Sequence, residues 1–317
     1  MAVLPGEPWI AYTWDLRDGN GWGMYLVRPD GSDNHHILTE LPGEQRAPAW
    51  SPDGTKLAFV ELDPADANSP DGAVWMSNAD GSDATRVFDG GDQCTSVFHP
   101  SWSPDGTKLA LICYSSGDAS SVAVLDLASM AFTPLDKVAW PGFMDDPPRW
   151  SPDGKSLAFA IQHWDPTNTF LDGSLVATIS VDGGKEHRLT TSDTFMSAPD
   201  WSPDGTELVM NSYDLGNASD LNEPSNLYAI KPDGAGLHQL THSSIDGSMK
   251  IGQPRWDPDG KRILVAVMDF SPDHTEFKSV HLAFVDAKGG EPVLMPVRHA
   301  GVSPYFNGKY ADIRQTP

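Results

Sequence analysis

Eight polar residues carry groups that bind anions or metal ions, and each lies in an irregular segment that precedes a predicted strand. Arginine and lysine bind carboxylate and phosphate groups, whereas carboxylates and imidazoles ligate divalent cations. The predicted ligand-binding residues are Arg46, His99, Asp145, Asp146, Lys250, Gln253, Arg298 and His299. Within this set the metal candidates are Asp145, His99 and His299, with calcium or manganese as the cation. The alternative is a water-filled space lined by polar groups that satisfy one another.

Adjacent Asp145 and Asp146 cannot both point into one pocket if their segment is extended, because successive side chains of a strand face opposite sides. At most one of the two carboxylates is therefore expected to ligate a metal ion.

Aromatic side chains occur in a second set of irregular segments, interleaved with many aspartates. The predicted aromatic binding residues are Trp14, Trp22, Trp164, Phe170, Tyr213 and Phe270. Aromatic platforms on an acidic rim suit a sugar, a cationic peptide or a divalent cation. The alternative is that the carboxylates are ordinary solvated loop residues and that the aromatic rings cap the ends of sheets.

The common catalytic motifs do not occur in the sequence. It contains no Gly-x-Ser-x-Gly segment, no phosphate-binding glycine-rich loop followed by Lys-Ser/Thr, no His-Glu-x-x-His and no clustered cysteine ligands. The sequence therefore favours a binding protein over an enzyme.

An internal repeat defines the elements that must position these residues. Pro48-Ala-Trp-Ser-Pro-Asp-Gly-Thr-Lys-Leu-Ala-Phe59 recurs with small changes from Pro100, Pro148, Pro199 and Pro254. The motif tryptophans are about 50 residues apart, so 317 residues accommodate about six repeats. The Ser-Pro-Asp-Gly segment has the chemistry of a tight turn, in which proline presets φ and glycine takes a positive φ.

Each repeat predicts four antiparallel strands, and the recurring tryptophan is expected to be a core residue between neighbouring sheets. A sixth repeat is expected to be split between the termini, with Phe306 at the tryptophan position. We therefore predict an all-β fold, a single six-bladed β-propeller over residues 1–317 whose ring is closed by strands from both termini. The predicted blades are 304–313 plus 9–39, 48–89, 100–135, 148–190, 199–241 and 254–295.

The repeat resembles that of the TolB-type propeller family, whose Pro-x-Trp-Ser-Pro-Asp-Gly-x-x-Leu-Ala-Phe signature is matched at these five places. The resemblance covers nearly the whole chain, and it implies a periplasmic or extracellular interaction module. A small α/β domain precedes the propeller in TolB, and it is expected to be absent here because propeller strands begin by Trp9. A related propeller, an oligogalacturonate lyase, holds a divalent cation with several histidines and one glutamine. His99, Gln253 and His299 match part of that set.

The direction of the strands separates two faces of the predicted propeller. The Ser-Pro-Asp-Gly turns and the later Asp-Gly turns fall at one end of the blades, which we call the tight-turn face. The irregular segments fall at the other end, the loop-rich face, and such loops on a rigid scaffold commonly carry binding residues.

The charge balance restricts the partners that the chain can have. The 44 acidic residues against 21 basic ones give a net charge of −23, which repels phosphate backbones and anionic lipids. Nucleic acid is therefore not expected as a partner. No apolar run is long enough to cross a membrane, and no export signal is visible at the N-terminus.

Cys94 and Cys113 permit one disulfide bond. If Trp102 pairs with Thr107 across the turn, Ser96 lies opposite Cys113, and a small irregularity would bring the two sulfur atoms together. A disulfide would indicate an oxidising compartment, whereas two reduced thiols would leave the location open.

The leading hypothesis is a monomeric, non-enzymatic module that binds a protein, peptide or glycan through its loop-rich face. The competing hypothesis is a metal-dependent carbohydrate enzyme with its site at the mouth of the channel.

Overall fold

Antiparallel β-strands account for nearly all of the regular structure in the computed structural model of the chain. The structure describes residues 7–15, 21–62, 72–115, 119–135, 146–164, 171–213, 225–242, 249–271, 277–297 and 311–313. One short 3₁₀ helix, Ser192–Thr194, accompanies the strands. Within these residues no helix is long and apolar enough to cross a membrane.

The strands are β1 Ile10–Asp15, β2 Trp22–Val27, β3 His35–Ile37, β4 Glu44–Trp50, β5 Lys56–Leu62, β6 Ala73–Asn78, β7 Thr85–Phe88, β8 Ser96–Trp102, β9 Lys108–Ser115, β10 Ala119–Asp126, β11 Phe132–Pro134, β12 Arg149–Trp150, β13 Ser156–Trp164, β14 Leu171–Ser180, β15 His187–Arg188, β16 Met196–Trp201, β17 Leu208–Tyr213, β18 Ser225–Ile230, β19 His238–Gln239, β20 Met249–Trp256, β21 Arg262–Phe270, β22 Phe277–Asp286, β23 Val293–Leu294 and β24 Ala311–Ile313.

The strands form sheets that follow the sequence repeat. Four sheets have four strands each, in the orders β24-β1-β2-β3, β4-β5-β6-β7, β8-β9-β10-β11 and β12-β13-β14-β15. The strands β16–β19 and β20–β23 continue the pattern and are joined into one eight-stranded sheet by a single parallel bridge, Ser225 to Lys250. Each motif tryptophan ends the first strand of its repeat, as predicted.

The Ser-Pro-Asp-Gly turns satisfy their own polar groups. In the first of them the Asp53 carboxylate accepts hydrogen bonds from the Ser51 hydroxyl at 2.7 Å and the Thr55 amide at 2.9 Å. The Ser51 hydroxyl oxygen in turn accepts the Lys56 amide at 2.9 Å. The same pattern recurs around Asp105, Asp153 and Asp204. Local chemistry thus fixes the hairpin that joins the first two strands of each repeat.

The tryptophans pack between neighbouring sheets. Trp50 lies in a buried cluster with Trp9 and Leu26 of the preceding sheet and with Leu57 and Phe59 of its own. Indole N–H groups add a polar link, because Trp102, Trp150 and Trp201 donate to the backbone carbonyls of Ala49, Ser101 and Arg149 at 3.0, 3.0 and 3.1 Å. The predicted core role of the tryptophans is confirmed for these residues.

The C-terminal strand has a different register from the predicted one. Ile313 pairs with Ile10 and Asp312 with Ala11, just as Trp50 pairs with Leu57 and its neighbour with Ala58. Ile313 therefore occupies the tryptophan position of this sheet, and the prediction of Phe306 there was wrong. Phe306 itself lies outside the described residues.

The predicted disulfide bond is present between Cys94 and Cys113, whose Cα atoms are 5.4 Å apart. The predicted register was wrong, because Trp102 pairs with Leu109 and a bulge follows between Phe98 and Ser101. Val97, and not Ser96, therefore lies opposite Cys113. The bond ties the segment before β8 to the strand β9 of the same sheet.

The turn aspartates make stability depend on acid pH. Hydrogen bonds, chiefly from the serine hydroxyl of each turn, lower the pKa values of Asp53, Asp105, Asp153 and Asp204 below 3.8. The unfolded chain then binds more protons, so this stabilisation is present above about pH 4 and is lost as the pH falls through the folded pKa values. Replacing all four by Asn should flatten the fall of the urea midpoint below pH 4. Asp182→Asn is the surface control, and equal acid slopes for the wild type and the quadruple variant would contradict this prediction.

Loss of the disulfide bond should lower stability by about 3 kcal/mol, because the bond closes a loop of about 20 residues in the unfolded chain. The double variant Cys94→Ser and Cys113→Ser should have a lower Tm than the oxidised wild type. Dithiothreitol should lower the Tm of the wild type only, and an equal effect on both proteins would show that the bond does not contribute.

Candidate functional site

A repeated backbone irregularity lies just before the proline of the motif. Ala47, His99, Ala198 and Gln253 all have φ between 50° and 59°, and the strand register shifts beside each of them. Residues other than glycine rarely adopt this conformation, and such bulges re-aim neighbouring side chains and are common next to functional sites. Two predicted ligand-binding residues, His99 and Gln253, occupy these bulges.

The structure brings the predicted residues Asp146 and Gln253 together across the centre of the molecule. The Gln253 side-chain amide donates to the Asp146 carboxylate at 3.4 Å, although the two residues belong to repeats that are not neighbours. The other Asp146 oxygen accepts the Ala198 backbone amide at 2.9 Å. Burial raises the pKa of Asp146 and outweighs this backbone hydrogen bond and the nearby cations. Asp146 lies just before β12, whereas Gln253 lies within β20, at the bulge before Pro254.

A second layer of the centre is formed by the residue that precedes each motif tryptophan, or precedes Ile313 in the split repeat. In chain order from the first sheet these residues are Asp312, Ala49, Ser101, Arg149, Asp200 and Arg255. Four of them are charged, and we call Arg149, Asp200, Arg255 and Asp312 the central charged cluster. None of the four was predicted from the sequence, although three of them occupy the variable position of an otherwise regular Pro-x-Trp motif.

The two aspartates of the central charged cluster bind the backbone of the next repeat. Asp312 accepts the Trp50 amide at 2.8 Å, and Asp200 accepts the Trp256 amide at 2.7 Å. Their second oxygens face Arg149, whose guanidinium nitrogens lie 3.8 Å from Asp312 and 3.9 Å from Asp200. Burial raises the pKa of Asp312, and the attraction of Arg149 offsets part of that rise.

Arg255 is the most deeply buried cation of the cluster, with 3% of its surface exposed. Its Nη1 donates to the Pro254 carbonyl at 2.7 Å. Burial lowers its pKa to about 10, and repulsion by Arg149 adds to this effect, while Asp200, Asp312 and Asp146 act in the opposite direction. The charge of Arg255 is therefore disfavoured by burial and by the nearby Arg149.

The other predicted residues occupy several environments. Arg46 pairs with Glu44 of the same strand, and its guanidinium carbon lies 5.9 Å from the centre of the Trp22 ring. Lys250 and His99 are buried. Trp14 is half-buried and packs against the apolar cluster around Ile10.

The other predicted site residues, or their side chains, lie outside the described part of the chain. Asp145, Phe170, Arg298 and His299 fall outside the described residues, as do the side chains of Trp164, Tyr213 and Phe270. In the described part of the chain no three His, Cys, Asp or Glu side chains lie together as metal ligands. Because two of the three predicted metal ligands are not described, the metal site stays a prediction.

The repeat, the sheets and the inter-sheet tryptophans are those of a β-propeller. The sequence profile of the TolB beta propeller domain matches residues 65–289, which is more than half of the chain. The chain belongs to this family.

Known proteins show how far the similarity extends. The structure is similar to that of TolB from Acinetobacter baumannii, with a TM-score of 0.67, 18% sequence identity, and coverage of 93% of this chain and 65% of that one. The Tol-Pal system protein TolB of Alcanivorax borkumensis is 30% identical over 124 residues, or 39% of this chain and 25% of that protein. The chain thus spans less than two thirds of both TolB proteins.

An enzyme also has this fold. An oligogalacturonate lyase in complex with manganese has a TM-score of 0.52 and 15% identity, with coverage of 97% of this chain and 89% of that one. At such identities these likenesses establish the fold alone.

The central charged cluster makes a prediction for Asp312. Asp312→Ala removes an acceptor from the Trp50 amide and an anion from Arg149, and it should cost about 3–5 kcal/mol of unfolding free energy, because it leaves a buried charge less compensated. Asp312→Asn keeps an oxygen acceptor and should cost less. Urea unfolding at neutral pH measures both variants.

Asp89→Ala is the matched control for these measurements, because Asp89 pairs with Arg86 on the surface and that pair should contribute less than about 1 kcal/mol. Equal losses for Asp312→Ala and Asp89→Ala would show that the cluster does not hold the strand β24 in place.

Proposed function

We propose that the chain is a monomeric, six-bladed β-propeller that works as a non-enzymatic binding module, with its partner on the loop-rich face. Six buried clusters support the blade count, because each one is shared by two consecutive four-stranded units. The last of these clusters joins Leu264 and Phe284 of the final unit to Ile10 and Val27 of the first. The pairing of β24 with β1 supports a ring that is closed by strands from both termini.

The contact between Gln253 and Asp146 is the observation that carries this proposal. It spans the centre between two blades that are not neighbours, at the end from which the irregular segments emanate. The polar contacts of Asp146 therefore join residues of different blades at bulged backbone, as expected of a preorganised binding site.

The two faces differ in how many polar groups they offer a partner. On the tight-turn face the carboxylate of each Ser-Pro-Asp-Gly turn is occupied by hydroxyl and amide donors of its own turn. On the proposed loop-rich face, Trp22 and Arg46 place an aromatic ring and a cation next to each other. Such residues are enriched in protein interfaces.

Membership of the TolB family favours a protein or peptide as the partner, and a glycan is the other ligand class that aromatic rims bind. One relative is named as a protein of the Tol-Pal system, and that name favours a protein partner. With a net charge of −23 the module would attract a basic partner surface over a Debye length. The disulfide bond supports a periplasmic or extracellular location.

The second candidate is a metal-dependent carbohydrate enzyme at the mouth of the channel. The observation in its favour is the shared fold with the manganese-bound oligogalacturonate lyase. His99 and Gln253 are the described residues that would contribute to a cation site, together with Asp145 and His299. A cation there would supply a Lewis acid for chemistry on an acidic sugar.

The binding proposal is tested by panning a displayed peptide library and a glycan array with the wild-type protein. Ligands selected in this way should bind the variants Trp22→Ala and Arg46→Ala at least about tenfold more weakly, because aromatic and arginine anchors dominate interfaces. Lys155→Ala on the tight-turn face is the matched control, since the Lys155 side chain is exposed there. Loss of binding in the control, with full binding by the loop-face variants, would place the site on the wrong face.

Thermal unfolding separates the two candidate functions. A rise in Tm with millimolar calcium or manganese, reversed by a chelator, would support the enzyme because a ligand of the folded state stabilises it by mass action. The binding module predicts no cation-specific change beyond that of magnesium at equal ionic strength.

A further inference from the structure

Two buried arginines in the centre each have an N–H group without an acceptor in the part of the chain that the structure describes. Arg149 and Arg255 are 8% and 3% exposed, and the Nε atom of each is fully buried. Neither Nε has a hydrogen-bond acceptor among the described residues. A buried donor without an acceptor costs free energy, and a buried guanidinium is tolerated when an anion pairs with it.

The carboxylates of the centre already accept hydrogen bonds from other groups. Asp312 and Asp200 each give one oxygen to a backbone amide, and both oxygens of Asp146 accept hydrogen bonds. The free oxygens of Asp312 and Asp200 lie 3.8 and 3.9 Å from Arg149, which is beyond hydrogen-bond distance. Within the described part of the chain, no carboxylate lies within 4.0 Å of the Arg255 guanidinium.

The two arginines also oppose each other. After burial, Arg149 is the largest influence that lowers the pKa of Arg255. An anion between the two guanidinium groups would accept hydrogen bonds from both and would replace this repulsion by attraction.

On one side of Arg149, the residues of this layer have short side chains. Ser101 occupies the equivalent position in the preceding sheet and Ala49 the one before it, while Asp200 follows Arg149. The short side chains of Ser101 and Ala49 leave the charged half of the layer without a counterpart on that side.

We propose that the centre of the channel binds a small oxyanion, a carboxylate or phosphate group, between Arg149 and Arg255. Such an anion requires no partner on the loop-rich face, so the two proposals stand or fall separately. The competing outcome is a cation, because Arg149 and Arg255 together with Asp146, Asp200 and Asp312 sum to a charge of −1 when all of them are ionised.

Two variants of equal shape and different charge test whether the site binds an anion or a cation. Ser101→Asp would place a carboxylate beside Arg149, on the side opposite Asp200, whereas Ser101→Asn has the same shape without the charge. The Asp variant should have a Tm at least about 3 °C above that of the Asn variant, equivalent to about 1 kcal/mol for a chain of this size. A lower Tm for Ser101→Asp, or failure of that variant alone to fold, would overturn the proposal.

Titration of the wild-type protein is the second measurement, and it decides the matter if neither Ser101 variant folds. Sodium acetate and sodium phosphate, each up to 10 mM against chloride at constant ionic strength, are followed by calorimetry at neutral pH. Saturable heat with acetate identifies a carboxylate site, and heat with phosphate alone identifies a phosphate site. Either result supports an oxyanion, and heat with neither overturns the proposal.

Controls tie any binding to the two buried arginines. Arg255→Met should abolish the heat, whereas Arg262→Met, at a half-exposed arginine paired with Asp257, should leave it unchanged. Ser101→Asp should also lose the heat, because its own carboxylate would fill the site. Binding that survives in Arg255→Met would place the anion elsewhere and overturn the assignment.

Discussion

The packing of each motif tryptophan against the preceding sheet is the interaction on which the rest of the structure depends. A four-stranded sheet with two apolar faces cannot stand alone in water, so each sheet must bury both faces against neighbours. The indole ring fills that boundary, and its N–H bonds the carbonyl of the residue before the preceding tryptophan, from Trp102 to Ala49 and from Trp150 to Ser101. Where Trp102, Trp150 and Trp201 make this link, it fixes the height of one first strand relative to the next. The residues before the tryptophans are therefore held in one layer at the centre.

Two aspartates add a second kind of link between neighbouring sheets. Where Asp200 and Asp312 precede the boundary, their carboxylates accept the backbone amides of Trp256 and Trp50. An aspartate at this position thus both docks the next sheet and presents its second oxygen to the centre. The same two residues hold neighbouring sheets together and lie beside Arg149, so they serve both the packing of the sheets and the central charged cluster.

The sequence predicted the parts of the fold that depend on local chemistry. The Ser-Pro-Asp-Gly turns, the strands on either side and the buried tryptophans follow from residues only a few positions apart. The split repeat was harder, because Ile313 has neither a tryptophan nor a turn motif to mark it, and its register comes from pairing with β1 at the other end of the chain. Val97 lies opposite Cys113 because of a bulge before Pro100. The bulge recurs before the motif prolines of three other repeats, but at residues of different types, so the residue type does not predict it.

The candidate site was predicted in part for a related reason. Strand direction alone places Asp146 and Gln253 at the same end of their blades, and the structure brings them into contact. Arg149, Asp200 and Arg255 were visible as variation at one motif position. Their contacts were not predictable from local sequence, because this position brings together residues from different sheets.

Two positions of this layer carry no charge. Ala49 and Ser101 occupy them, and the indole link there uses only their backbone carbonyls. Replacing a buried ion pair by apolar residues is often neutral or stabilising. Two arginines and two aspartates are therefore not expected to be the most stable way to fill this layer. The Nε atoms of the two arginines have no acceptor among the described residues, and departures from the best local packing concentrate where proteins act, which supports the anion site proposed above.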